Sequence, residues 1–458
     1  MPGMSSGRGA NPVVVAAFQS ALLQQAAVAL VILVVMAVTW RALLRAELRR
    51  AVQGAGEPAG SWPGAAALMG EPAGRRLLRA GFGLLWLLDG LLQAQPDMPL
   101  GMPAGVLGPA SSTSPGWARH VVEVGATIWS AHPVVASAAV VWVQVGIGAW
   151  LLVAPRGTWS RLAGVAAAGW GALVWVFGEA FGGIFAPGPS WLFGAPGAAL
   201  AYVLAGVLLA MPEQRWTSAR TGRAVLALLG CFFVGMAVLQ AWPGRGFWQG
   251  RSPRNGAPGS IAAMAHQMAK APQPRLLSSF VSSFGHFDAA HGFAVNLFVV
   301  VALAVLGAAL VAGRTRAAPW ALAGCWALCL ADWVLVQDLG FLGGLGTDPN
   351  SMVPVALLVT GGYLGLTRPA QPREALAPVT VAGPVPPGST RLAARWVAFR
   401  RDPGYLLRSV LALGAVGIVL LGAVPLAVAS VQPRPAVPER TARVPSATAR
   451  GSGISPPG

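Results

Sequence analysis

Ser130-Ala131-His132-Pro133 opens a long apolar run, and its surroundings return further along the chain: His132 meets His291 at a displacement of 159 residues (291 − 132 = 159). The same displacement pairs Pro115 with Pro274, Gly148 with Gly307 and Glu179 with Asp338. A proline, a histidine, a glycine and a carboxylate carried by one shift without a gap point to an internal duplication. Each copy sets its histidine at the head of an apolar run long enough to cross a bilayer, so the duplicated unit reads as a membrane unit.

Composition agrees with that reading. Of 458 residues, 55% are hydrophobic and 10% charged, with mean hydropathy +0.61, a membrane profile rather than a soluble one. The net charge of +17 would suit nucleic acid, but the cations stand in short clusters between apolar runs. That is the pattern of topology signals, not of a stripe that tracks phosphates, so nucleic acid is excluded and the lipid bilayer is the expected partner. All but Lys270 of the 32 cations are arginines. Cys231, Cys325 and Cys329 lie inside apolar runs with no Cys-x-x-Cys, which argues against dithiol chemistry and a disulfide scaffold.

A spanning helix needs about 20 apolar residues. Runs at 17–40, 77–95, 134–154, 162–180, 196–211, 223–242, 291–312, 319–338, 352–367 and 406–430 supply ten candidates. The first is followed by Arg41, Arg45, Arg49 and Arg50, whereas a secretory signal carries its charge before the apolar run. An uncleaved anchor with its N-terminus outside is expected. Alternate loops then carry Arg75/Arg76/Arg79, Arg156/Arg161, Arg215/Arg220/Arg223, Arg314/Arg316 and the Arg368–Arg408 set, about two-thirds of all cations on one side. The fold expected is an all-α integral membrane protein of about ten transmembrane helices: two parallel four-helix repeats plus one flanking helix at each end. It sits in the plasma (inner) membrane with both termini extracytoplasmic.

The expected divisions follow. Residues 1–50 form the anchor helix with its basic cytoplasmic segment, and 75–212 and 222–367 are the two units. Residues 368–404 form a Pro/Arg-rich linker, 405–431 the last helix, and 432–458 a Pro/Ser/Arg tail of disordered composition. Between spans, 104–131 and 258–290 are moderately apolar and read as helices lying on the outer surface.

Polar residues matched between the units gather at one level. The opening helices align at a displacement of 147, which pairs Gln93-Ala94-Gln95-Pro96 with Gln240-Ala241-Trp242-Pro243 (240 − 93 = 147) and Gly83 with Gly230. Each unit therefore sets an amide (Gln93, Gln240), an imidazole (His132, His291) and a carboxylate (Glu179, Asp338) near the outer ends of its helices. Three chemistries stay open for these clusters. A carboxylate and an imidazole in a dry site can pass protons or hold a quinone head group. They also suit a zinc-like metal ion. The plainest reading is structural, with helix-end side chains satisfying loop backbone.

Asp89 and Asp332 lie within spans and are not matched between the units; an intramembrane acid faces a bundle interior or a cavity by default. Met264-Ala265-His266-Gln267-Met268 and Met98/Met102 resemble soft-metal handling, although Met also fills amphipathic faces. No phosphate loop, nucleophile elbow or His-Glu-x-x-His motif is present.

Arg79-x-x-x-Gly83 with Gly90, and Gln144-x-x-x-Gly148-x-x-Leu151 running into Arg156 and Arg161, make each unit resemble the DoxX-like family of small four-helix membrane proteins. The whole resembles a tandem fusion of two such units, like multi-pass proteins of high-GC bacteria. The resemblance covers 77–211 and, more loosely, 223–367, and it implies an association with quinone-linked electron transport. Gln144 and, in the second copy, Leu303 stand where the resemblance implies an acid. Three functional classes follow: a quinone- or redox-associated subunit using the Gln/His/acid clusters, a proton-coupled transporter with a path past Asp89 and Asp332 at the repeat interface, or a non-catalytic partner of a membrane or extracytoplasmic protein that docks on loops 97–131 and 243–290.

Overall fold

The computed structural model describes residues 11–53, 71–252, 255–342, 345–368 and 403–432. Apart from their ends, the Pro/Arg-rich linker and the C-terminal tail lie outside these described residues. In chain order the helices are α1 (Pro12–Gln53), α2 (Ala73–Gln93), α3 (Met98–Ser112), α4 (Gly116–Ala131), α5 (Pro133–Val153), α6 (Gly157–Leu173), α7 (Ala198–Ala210) and α8 (Ala219–Ala241). There follow α9 (Ser260–Ala269), α10 (Arg275–Ala312), α11 (Ala318–Leu335), α12 (Met352–Thr367) and α13 (Pro403–Val431). The described residues are all-α apart from an isolated bridge between Arg251 and Pro258.

Among the described residues seven helices are long and apolar enough to cross a membrane, or eight if α2 and α3, bent by 94° at their junction, form one span. The chain is an integral multi-pass membrane protein. The expectation of ten spans is not met in full, and the shortfall has a physical reason. Helices α7 and α12 have 13 and 16 residues. They rise about 20 and 24 Å at 1.5 Å per residue, short of a hydrocarbon core of about 30 Å. Most of their residues are buried, so their apolar character serves the protein interior. Irregular segments 179–197 and 336–351 precede them, and such backbone is tolerated at membrane depth only where protein or a cavity surrounds it.

Small residues set the packing. Gly83 on α2 lies against Gly148 on α5: a Cβ on Gly148 would come within 2.7 Å of the Gly83 carbonyl oxygen. Gly230 on α8 and Gly307 on α10 meet in the same way, at 2.6 and 2.7 Å. Such close approach of backbones is how membrane helices gain dispersion contact where no hydrophobic drive operates between them. Helix α6 packs on α7 and α11 on α12, while α12 wedges between α2 and α8. Helix α13 lies along α5, and α1 lies along α13 and touches α5 through the buried Phe18.

The positions matched by sequence take matching places. Pro115 and Pro274 each directly precede a helix. His132 (φ −135°) parts α4 from α5, and His291 (φ −126°) breaks the helical backbone inside α10. Trp175 and Trp333 each donate an indole N–H to a proline carbonyl of the following segment, Pro196 and Pro349, both at 2.8 Å. Residues 180–182 and 338–340 both run through left-handed backbone. These two corners coincide at a displacement of 158 (338 − 180 = 158), one less than the shift that links the histidines. The corner register therefore sets Asp338 opposite Ala180 and Gln337 opposite Glu179.

Arg75 and Arg79, read from sequence as topology signals, are buried along with Glu71. Arg75 bonds Glu71 at 2.9 Å, the Pro155 carbonyl at 2.8 Å, Ser160 Oγ at 2.7 Å and the Leu209 carbonyl at 3.2 Å. Arg79 forks onto both Glu71 oxygens and reaches the Leu151 and Leu152 carbonyls at 2.9 and 3.0 Å. Two guanidinium groups thus satisfy carbonyls left over at the ends of α5 and α7, with one carboxylate between them. Glu71→Ala strands two buried cations, so a loss of about 3–5 kcal/mol is expected. A fall in unfolding temperature of the detergent-purified protein measures it, and an unchanged melt would show that the trio carries no stability.

Candidate functional site

Helix α2 stops at Gln93 and the chain turns through 94° at Gln95-Pro96-Asp97 before α3 begins. Proline at 96, 99, 103 and 109 cannot carry α2 onward in register, and 102–107 adopts a wider π-helical turn. The turn opens a cavity of about 1900 Å³ bounded by α2, α3, α5, the corner 179–197, α7 and the segment 340–351, with the ends of α1 and α13 along one flank. That is about twice the upper end of ordinary small-molecule pockets.

The wall combines aromatic rings with polar groups that lack partners. Trp86 Nε1, Asp89 Oδ1, Gln93 Oε1, Gln144 Oε1, Trp170 Nε1 and Tyr202 Oη are all buried without a hydrogen bond, and all six residues line the cavity. A buried unpaired polar group costs on the order of 1–3 kcal/mol, so six around one space mark a place meant for polar contact. The Tyr202 ring packs edge-on against Trp86 at 4.6 Å and Phe82 at 5.2 Å, which holds its hydroxyl beside Asp89 though outside bonding geometry. Glu179 accepts from the Ala199 N–H at 3.1 and 3.2 Å, near the start of α7, where the helix dipole favours an anion. Burial and the charge of Asp348 push its carboxyl up to about 8. Asp348 itself is held by the Asn350 N–H at 2.7 Å and the Thr347 hydroxyl at 2.8 Å.

The residues singled out from sequence do not assemble into two equal clusters. Gln93 and Glu179 share the cavity, but His132 is half-buried outside its wall. In the second unit Gln240 is fully engaged: it accepts from Ser190 Oγ at 2.6 Å and donates to Asn296 Oδ1 at 2.8 Å, a structural link between the halves. His291 is exposed and rests against the Phe287 ring at 4.8 Å. Asp338 is buried with both oxygens unpartnered, its carboxyl pushed up to about 6 by burial, and it too stands apart from the cavity. Asp89 lines the cavity, whereas Asp332 lies away from it and accepts from Gln337 Nε2 at 2.8 Å.

The methionines of the two soft-metal stretches pack into small apolar clusters. Met98 and Met102 fill a small core with Val106 and Leu107, and Met268 is buried with Ala265 and Val281. Met264 packs at the edge of that second cluster. His266 meets His286 edge-on at 4.7 Å. Its imidazole is drawn below its ordinary range by burial and by His286. Among the described residues no three His, Cys, Asp or Glu side chains converge to hold a metal ion. Sequence reasoning missed Trp86, Tyr202 and Asp348. Tyr202 carried a usable signal, as one of only three tyrosines and set in an apolar run.

Compared with models of known protein families, with curated proteins and with solved structures, the chain matches none. The likeness to DoxX-like units therefore rests on the motif residues alone.

The two matched glutamines should respond differently to removal. Gln240→Leu leaves the Ser190 hydroxyl proton without its acceptor and Asn296 Oδ1 without its donor, and is expected to cost about 1–3 kcal/mol. Gln93→Leu removes an unpartnered group and is expected to be neutral or stabilising. Thermal melts of both variants check this, and equal losses would contradict the asymmetry. A pH series tests Glu179. Its folded value lies above the usual carboxylate range, so its share of stability is full near pH 4 and disappears as pH rises through about 8. The unfolding temperature should fall from pH 5 to pH 9, and less steeply in Glu179→Gln; parallel curves would remove Glu179 as the cause.

Proposed function

We propose that this protein binds an amphiphilic small molecule, drawn from the outer leaflet past α1 and α13 into the cavity beside α2. The observation that carries this reading is the ring of unpaired buried donors and acceptors (Trp86, Asp89, Gln93, Gln144, Trp170, Tyr202) at the head of a mostly apolar space. A ligand suited to it has a polar head that both gives and takes hydrogen bonds, a body that stacks on aromatic rings, and an apolar remainder that continues into lipid. Quinones meet that description, which supports the electron-transport association implied by the DoxX-like resemblance.

The architecture proposed with it is a duplicated four-helix unit, α2/α5/α6/α7 and α8/α10/α11/α12, with α1 and α13 flanking, in the plasma membrane with both termini outside. Its support is the paired glycine contacts, the prolines that precede helices, the histidine breaks and the matching corners. A proton path at the interface of the units is less well supported, since Asp332 is bonded to Gln337 and stands apart from the cavity of Asp89.

The test is extraction of protein purified in native lipid, with mass spectrometry of the extract and decylubiquinone as the added probe. One enriched lipid-soluble molecule per protein is expected, together with a rise in melting temperature on adding the probe. Tyr202→Phe combined with Gln144→Leu should weaken retention about tenfold, the equivalent of one good hydrogen bond. If no molecule is enriched and no amphiphile shifts the melt, the cavity is not a binding site.

A further inference from the structure

The cavity wall is one-signed. Asp89, Asp97, Glu179 and Asp348 line it, while among the described residues no lysine, arginine or histidine does. In a protein of net charge +17, an acid-only wall runs against the average, and a cavity lined by one sign in a low-dielectric surround concentrates ions of the other. Asp348 acts electrostatically on both Asp89 and Glu179, so the three belong to one field, yet among the described residues no three acids converge on a point where a metal ion would be chelated. Trp86, Trp129, Trp170, Phe177 and Tyr202 contribute rings to the same wall, and aromatic faces attract a soft, spread positive charge. Independently of the acids, Trp86 Nε1, Gln93 Oε1, Gln144 Oε1 and Tyr202 Oη stand unpaired on side chains at least nine-tenths buried and face this space.

We propose that the ligand of this cavity is an organic cation: an amphiphile whose positive group sits among Asp89, Glu179 and Asp348 and whose apolar body lies against the tryptophans. The proposal rests on the amphiphile-binding reading and narrows it. Acids spread around a cavity of about 1900 Å³ suit a charge delocalised over a bulky group better than a small hard ion. The groups facing Glu179 are Asp348 and Asp89, with the Tyr202 hydroxyl beside Asp89 and the Ala199 and Ala198 amides as donors to Glu179. Because Glu179 holds its proton up to about pH 8, binding of a cation displaces that proton, and affinity should rise with pH up to that value.

Tetraphenylphosphonium, tetraphenylborate and triphenylphosphine oxide supply bulky aromatic probes of positive, negative and no charge. Their binding to the full chain in nanodiscs is read by tryptophan quenching, against empty nanodiscs to remove partition into lipid. The expected order places the cation at least about tenfold tighter than the neutral probe, with the anion weakest. Asp89→Asn and, separately, Glu179→Gln should weaken the cation about tenfold more than they weaken the neutral probe, and Glu179→Gln should flatten the rise between pH 6 and pH 9. The probe comparison on the native chain stands even where a variant fails to fold. Equal affinity for cation and neutral probe overturns the charge proposal and leaves amphiphile binding intact. Absence of binding by all three overturns both.

Discussion

Everything in the first half hangs from one carboxylate. Glu71 lies at zero side-chain exposure between two arginines, and those arginines spend their remaining donors on carbonyls from three other places in the chain: Leu151 and Leu152 at the end of α5, Pro155 just beyond it, and Leu209 at the end of α7. A helix end leaves four carbonyls without partners, and in a protein without water at hand a guanidinium is the group that can take several at once. The trio thereby fixes the depth of α2 relative to α5 and α7. With one end of α2 pinned, its other end, where Asp89 and Gln93 stand, is placed against α5 and α7 as well. The glycine contact of Gly83 with Gly148 sits between the two ends and lets the backbones close.

The second half lacks this device. At the displacement that joins Gln93 to Gln240, Gly222 and Leu226 stand where Arg75 and Arg79 would be, and Gly222 instead packs against the backbone of Gly365 and Leu366. The cavity end diverges just as far. In the first half Gln93 faces open space; in the second Gln240 is consumed by Ser190 and Asn296, and Gly250 from the inserted loop presses on Gly292 and on the Asp288 and Ala289 carbonyls. In the duplicated frame proposed above, one copy would be filled by its own polar network and the other left open, keeping two-fold packing while building a single site.

How far this could be read from residues alone varied with the range of the interaction. Pro115/Pro274, His132/His291 and the glycines act through backbone geometry local to each helix, which is the range that spacing in a sequence reports. The acid match slipped by one, because the left-handed corners at 180–182 and 338–340 reset the register over a stretch with no periodic signal. Helices α7 and α12 read as spans because hydropathy measures apolar character and not its direction, and these two turn it inward. The Gln/His/acid clusters were built on depth alone; depth says nothing of azimuth, and the histidines face elsewhere. The role of Glu71 was not legible, since the further partners of its two arginines lie 72 or more positions away in sequence.

The position of the cavity follows from the same economy of contacts. Helix α2 cannot extend past Gln93 into a proline-spaced segment, so α3 departs at 94° and leaves a corner. The corner residues that could fill it are themselves committed: Trp175 to the Pro196 carbonyl, Glu179 to the start of α7, Asp348 to its own turn. What remains uncommitted is the inner wall, where rigid α-helices carry Trp86, Asp89, Gln93, Gln144 and Tyr202. Side chains on packed helices cannot swing to find one another, so their polar atoms stay unpaired until something enters between them. Among the described residues, one flank of the cavity is formed by α1, of which about 6% of the spanning window is buried, and by the end of α13 around Pro425. For the membrane-dissolved ligand proposed above, this little-buried helix beside a polar wall would be the shortest way in.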